Sequence, residues 1–147
     1  MTDPTPRVLF LCTHNSARSQ MAEGLLRHLS GGRVEAHSAG TAATAVRPLA
    51  IRAMVELGID ISGQTSKTLD RYLGEAFDAV ITVCDDANES CPVFPGARAR
   101  LHWSLPDPSK ATGAEAEQLA VYRQVRDELR RRITAELLPR WAPAAAS

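Results

Sequence analysis

Four short apolar runs, separated by stretches whose apolar residues recur every three or four positions, set the plan of this chain. Arg7–Cys12 reads R-V-L-F-L-C, apolar after its first residue, as in a central strand covered on both faces. Residues 19–30 follow with Ala22, Leu25, Leu26 and Leu29 at helical spacing, and Gly31-Gly32 stops them. Residues 34–38 predict a second strand, and 39–46 a loop of small residues. Pro48 opens a second helix, with Ile51, Met54, Val55 and Leu57 as its buried stripe and Gly58 as its end. Residues 59–69 predict a loop, 77–83 a third buried strand, and 99–103 a fourth. The acidic stretch from Cys84 to Cys91 predicts about two helical turns, weakened at their end by Pro92. A final helix is expected over 114–138, with Leu119, Tyr122, Val125, Leu129 and Ile133 inward and the 126–132 charge run solvated.

Strands alternating with helices predict an α/β fold: one domain over 1–147, a four-stranded parallel sheet with helices on both faces in three layers. Residues 1–6 and 139–147 are expected to be loose termini. In such a sheet, ligands bind beyond the carboxyl ends of the strands. Cys12, Cys84 and the loop carrying Asp107 all follow strand ends, so they are expected on one rim.

Composition narrows the function. The 17 basic and 17 acidic residues cancel, so no global field favours nucleic acid or a membrane surface. No run approaches the roughly 18 apolar residues of a membrane span, and no basic-then-apolar leader is present, which predicts a cytoplasmic protein. A monomer is expected. Three cysteines, an odd number, argue for reactive thiols over a disulfide scaffold. No His–Cys spacing of the zinc type occurs, so neither a catalytic metal nor another cofactor is expected; His14, His37 and His102 are read as incidental or packing residues.

The chemistry-bearing stretch is Cys12-Thr13-His14-Asn15-Ser16-Ala17-Arg18-Ser19, between the first strand and the first helix. Backbone N–H groups of a curled loop and the helix N-terminus favour an anion there, and Arg18 can clamp two of its oxygens. The same field favours a thiolate, which makes Cys12 a candidate nucleophile. Asn15 suits the left-handed backbone of a curled loop, and Ser19 is placed to donate to the sulfur. Asp107, held between Pro106 and Pro108, is a candidate general acid.

This loop resembles that of the low-molecular-weight protein tyrosine phosphatases, and more closely the thioredoxin-coupled arsenate reductases that share their fold. The resemblance also rests on Ser38-Ala39-Gly40, Thr65-Ser66-Lys67, Cys84 to Cys91-Pro92, His102-Trp103, Asp107-Pro108 and Arg126-Asp127-Glu128. It implies arsenate as substrate, residues 13–19 as its binding loop, and Cys12, Arg18 and Asp107 in catalysis. It further implies a disulfide relay through Cys84 and Cys91 that thioredoxin regenerates. Ser109-Lys110 stands where the phosphatases carry an aromatic residue, and Ala17 where they carry a second loop cysteine. Some reductases hold potassium near the loop with an acidic residue and Asn, Glu and Ser partners; the matching positions here are Lys67, Asn15, Glu23 and Ser38. Lys67 is therefore expected to act as a built-in cation supporting the loop. The alternatives from other classes are a phosphomonoester hydrolase and a non-catalytic oxyanion sensor.

Overall fold

The computed structural model describes residues 5–85 and 93–141. The expected all-parallel sheet is present, built from β1 (Arg7–Cys12), β2 (Glu35–Gly40), β3 (Phe77–Thr82) and β4 (Ala97–His102) in the order β2-β1-β3-β4. β1 runs beside β2 from Arg7 opposite Glu35 to Cys12 opposite Gly40, and beside β3 from Val8 opposite Ala79 to Leu11 opposite Thr82. The chain leaves β1 toward β2 and returns on the other side as β3. The carboxyl ends of β1 and β3 therefore flank the point where strand order reverses.

On one face of the sheet, Val8, Phe10, Ala79 and Ile81 pack against α1 (Arg18–Leu29), α2 (Pro48–Val55) and α3 (Glu115–Arg132). On the other, Leu9, Leu11 and Val80 lie under Tyr72, Phe77 and Phe94, where a short 3-10 helix, Leu69–Tyr72, covers the strands. Among the described residues, no helix is long and apolar enough to cross a membrane.

Several sequence expectations need correction. In α2 the buried stripe is Ala50, Ala53 and Met54, while Val55 is 57% exposed and Ile51 and Leu57 are half-buried. Small alanines let α2 approach its neighbours closely, and the larger Val55 falls on the outer side of the turn. β4 starts two residues earlier than expected; as an edge strand it alternates, and His102 is exposed with its Nδ1 2.6 Å from Thr82 Oγ1, not packed inside. Arg126 is buried, not solvated, and reaches back to α2. The last helix widens into a π-turn at Ile133–Leu137 and continues as α4 (Leu138–Trp141), so residues 139–141 are helical and not loose. Pro139 lacks an N–H and crowds the turn before it, and the widened turn lies where that crowding falls. At the other end, the Pro6 carbonyl accepts a hydrogen bond from Glu35 N, which ties the leader to β2 at its last residue.

Candidate active site

The loop after β1 is shaped by where its carbonyls go. Thr13 O accepts from Ala42 N and Thr41 Oγ1, and His14 O from Ser66 Oγ and Thr44 Oγ1. Asn15 O accepts from Gln20 Nε2, Ser16 O from Arg47 N and Ala17 O from Met21 N. Five successive carbonyls are thus taken by groups around the loop. Because a trans peptide sets N–H opposite C=O, the loop's N–H groups point away from those partners, as an anion-binding loop requires. Asn15 makes the curl possible with φ of +48°, the left-handed region that asparagine tolerates. Gly40, at the end of β2, lies against the loop so closely that a Cβ would sit 2.7 Å from Thr13 O.

Cys12 ends β1, 2% exposed, and its Sγ lies 2.8 Å from Ser19 Oγ. The direction of that bond follows from its neighbours. Lys67 N–H can only donate, and it reaches Asn15 Oδ1 at 2.7 Å. Asn15 therefore presents Nδ2 to Ser19 Oγ, at 2.8 Å, and the Ser19 hydrogen is left for the sulfur. Ser19 Oγ thus donates to Cys12 Sγ, and its hydrogen bond is aimed at the atom that would attack a bound anion.

Arg18 opens α1. Its N-cap, Ala17, offers no side-chain cap and its first turn holds no acidic residue, so nothing in the helix competes with an anion for its N-terminus. The guanidinium is buried and held by the carbonyls of Val83, at 3.3 Å, and Leu105, at 3.2 Å. Its NH2 lies 3.7 Å from Asp107 Oδ2. Asp107 caps a 3-10 turn, Pro108–Lys110, through Oδ1, which accepts from Ser109 N and Ser109 Oγ. That division leaves Oδ2 facing Arg18. Cys84 follows β3, fully buried in the same apolar cluster as Cys12, and both are thiols.

The structure thus brings Cys12, the 13–17 loop, Arg18, Ser19, Cys84 and Asp107 to one rim, while His14 is exposed at its edge. Cys91 and the expected helical turns before it lie outside the described residues. Behind the loop, Ser38 Oγ donates to Glu23 Oε1 at 2.6 Å, Arg27 pairs with Glu23 Oε2 at 2.9 Å, and Lys67 Nζ lies 3.7 Å from Glu23 Oε1 while donating to the Thr65 carbonyl. Burial lowers the Lys67 ammonium from its ordinary range, and Glu23 opposes that shift.

Sequence reasoning missed two contributors. Gln20 reads as one more polar residue of an amphipathic helix, and its partner Thr65 is 45 positions away. In the sequence Ser109 signals only that an aromatic residue is missing, yet it orients Asp107. Tyr122 on α3, in the core stripe, is buried; burial pushes its hydroxyl up, Arg47 opposes the shift and Asp107 adds to it.

Comparison with known proteins places this geometry. Residues 7–140 match the family described as low molecular weight phosphotyrosine protein phosphatase. The chain is 48% identical over 126 residues to an arsenate reductase of Halalkalibacterium halodurans, an overlap of 86% of this chain and 91% of that one. A solved structure of an arsenate reductase in its phosphate-binding state superposes with a TM-score of 0.76 at 35% identity, covering 88% of this chain and 95% of the other. A thioredoxin-dependent arsenate reductase of Corynebacterium glutamicum matches with a TM-score of 0.68 at 31% identity, over 95% of this chain and 66% of that one. The chain belongs to the low-molecular-weight phosphotyrosine protein phosphatase family, and within it resembles proteins that are arsenate reductases.

Proposed function

We propose that this protein reduces arsenate to arsenite by a thiol relay that a dithiol reductant of the thioredoxin class resets. The observation that carries this reading is Cys84. It is buried in the cluster that holds Cys12, and the carbonyl just before it accepts from Arg18. Hydrolysis of a cysteinyl phosphate needs one thiol and water, whereas a two-electron reduction needs a second thiol within reach of the first.

In the proposed cycle the loop N–H groups and Arg18 hold arsenate, and Cys12 thiolate attacks arsenic. One As–O bond breaks, and the departing oxygen leaves as water with a proton from Asp107. Cys84 thiolate then attacks Cys12 Sγ. The Cys12–arsenic bond breaks, its electron pair stays on arsenic, and arsenic(V) becomes arsenite as the Cys12–Cys84 disulfide forms. Cys91 attacks Cys84, frees Cys12 as a thiolate and leaves a Cys84–Cys91 disulfide. The external dithiol reduces that bond and is itself oxidised.

Arsenate-dependent NADPH oxidation with thioredoxin and its reductase tests the reading. Sustained turnover is expected of the unaltered chain and none of Cys12→Ser or Cys84→Ser. Cys91→Ala is expected to complete one reduction and stall, with peptide mapping recovering a Cys12–Cys84 disulfide. Continued turnover by Cys91→Ala would remove the third cysteine from the cycle. Rapid hydrolysis of a chromogenic phosphomonoester without arsenate turnover would favour a phosphatase instead.

A further inference from the structure

Gln20 takes no part in the chemistry above, yet it is fully buried and its carboxamide is spent on the loop. Its Nε2 lies 3.1 Å from the Asn15 carbonyl oxygen, 2.8 Å from Asn15 Oδ1 and 2.9 Å from the Thr65 carbonyl oxygen. Two N–H groups serve these three acceptors, one on Thr65 and one shared by the two oxygens of Asn15. Gln64 braces the far side, with Nε2 donating to the Gln20 carbonyl oxygen at 3.0 Å and to Gln20 Oε1 at 2.8 Å. Backbone carbonyls only accept, so both amides have one orientation.

The consequence runs through Asn15. Its Oδ1 takes two donors, Lys67 N and Gln20 Nε2, and only with Oδ1 on that side does Nδ2 face Ser19 Oγ. Were the Asn15 amide turned over, Nδ2 would face two buried donors, and Oδ1 would draw the Ser19 hydrogen away from Cys12. Lys67 N alone opposes that turn if Gln20 is removed. Gln20 also joins Thr65 to Asn15, so the segment that supplies Lys67 N is held in register with the amide it meets.

We propose that Gln20 is a positioning residue for the Cys12 nucleophile: by donating to Asn15 Oδ1 and to the Thr65 carbonyl, it fixes the amide that directs the Ser19 hydroxyl hydrogen onto Cys12 Sγ. This rests on the reading of Cys12 as the nucleophile. Substitution of Gln20 by a neutral residue leaves every charge of the site in place, so the effect of Gln20→Met comes through hydrogen bonding alone.

The test uses the full chain carrying Cys84→Ala and Cys91→Ala, so that Cys12 is its single thiol, and needs no arsenate. Thiolate absorbance near 240 nm and the rate of alkylation by iodoacetamide are read at neutral pH, with Gln20→Met and Gln20→Glu compared to Gln20. Gln20→Met keeps the length, adds no charge and loses every donor; Gln20→Glu keeps the shape, turns a donor into an acceptor and adds a carboxyl, so the neutral variant decides the role of the hydrogen bonds. In either folded variant the alkylation rate is expected to fall about tenfold, with a matching loss of thiolate absorbance. An unchanged rate in a folded variant would overturn the proposal, as would failure of both variants to fold, which would make Gln20 a support of the fold and not of the thiol. If Cys12 with Gln20 intact shows no thiolate and no enhanced alkylation, the reading of Cys12 as nucleophile fails instead.

Discussion

Gly40 marks how tightly β2 closes on the anion loop. A Cβ there would lie 2.7 Å from Thr13 O, 2.8 Å from Asn15 N and 2.9 Å from Cys12 O, all backbone atoms that cannot rotate aside. Gly40→Ala must push the loop outward, and overpacking of this kind costs about 1–3 kcal/mol. Thermal melting should fall accordingly and inorganic phosphate should bind more weakly, since the N–H groups lose their common aim; unchanged phosphate affinity would mean the loop is not the anion site. Lys67 is the second residue whose identity decides behaviour. Glu23 already faces Arg27 and Lys67 and accepts from Ser38. A potassium ion would bring a third positive charge, and like charges about 4 Å apart repel by roughly 1 kcal/mol in water and several times that near a buried site. Melting temperature and arsenate turnover are therefore expected to be the same in potassium and sodium at equal ionic strength. A stabilisation specific to potassium would show that the ammonium does not fill that place.

At the scale of elements, the contact between α2 and α3 is held by a residue the sequence disguises. Arg126 NH1 donates to Ala53 O and to Glu56 Oε1, both at 2.7 Å, from a side chain that is 9% exposed. Removing it strands a buried backbone carbonyl of α2, so Arg126→Ala should cost about 1–3 kcal/mol in urea unfolding. A loss under about 0.5 kcal/mol would return Arg126 to the solvated face. Arg126 was illegible because it stands in a run of charges of both signs, and a charge run reads as surface. β1 and β3 were legible because apolar residues on both faces leave no other strand type, and Cys12 to Ser19 because loop chemistry is local. What the sequence hid depends on distance: Gln20 on Thr65, Gly40 on Thr13, Arg126 on Ala53. The alanine stripe of α2 was hidden for another reason, since small residues carry little hydrophobic signal even where close packing needs them.

Over the whole molecule, 17 positive and 17 negative charges leave no net field at neutral pH, so acid stability turns on individual carboxylates. Arg123, with Arg126, holds Glu56 down to about 2, and Arg131, with Arg132, does the same for Glu128. Arg7, with His37, lowers Glu35 in the same direction. Each is depressed in the folded chain from an ordinary value of 4.5, so each contributes stability that is present above 4.5 and is lost below it, for Glu56 and Glu128 as pH falls toward 2. Protonation over that window also leaves the molecule strongly positive, which adds self-repulsion. Melting temperature is thus expected to hold steady above about pH 5 and to drop steeply between about 4.5 and 2. Glu56→Gln combined with Glu128→Gln should start lower at neutral pH and decline less across the acid range, so that the two curves converge near pH 2. Because Arg123–Glu56 and the pairs of Glu128 lie at the surface, about 1 M salt should shrink the gap between the curves at neutral pH. Curves that stay parallel through the acid range would place the acid-labile groups elsewhere in the molecule.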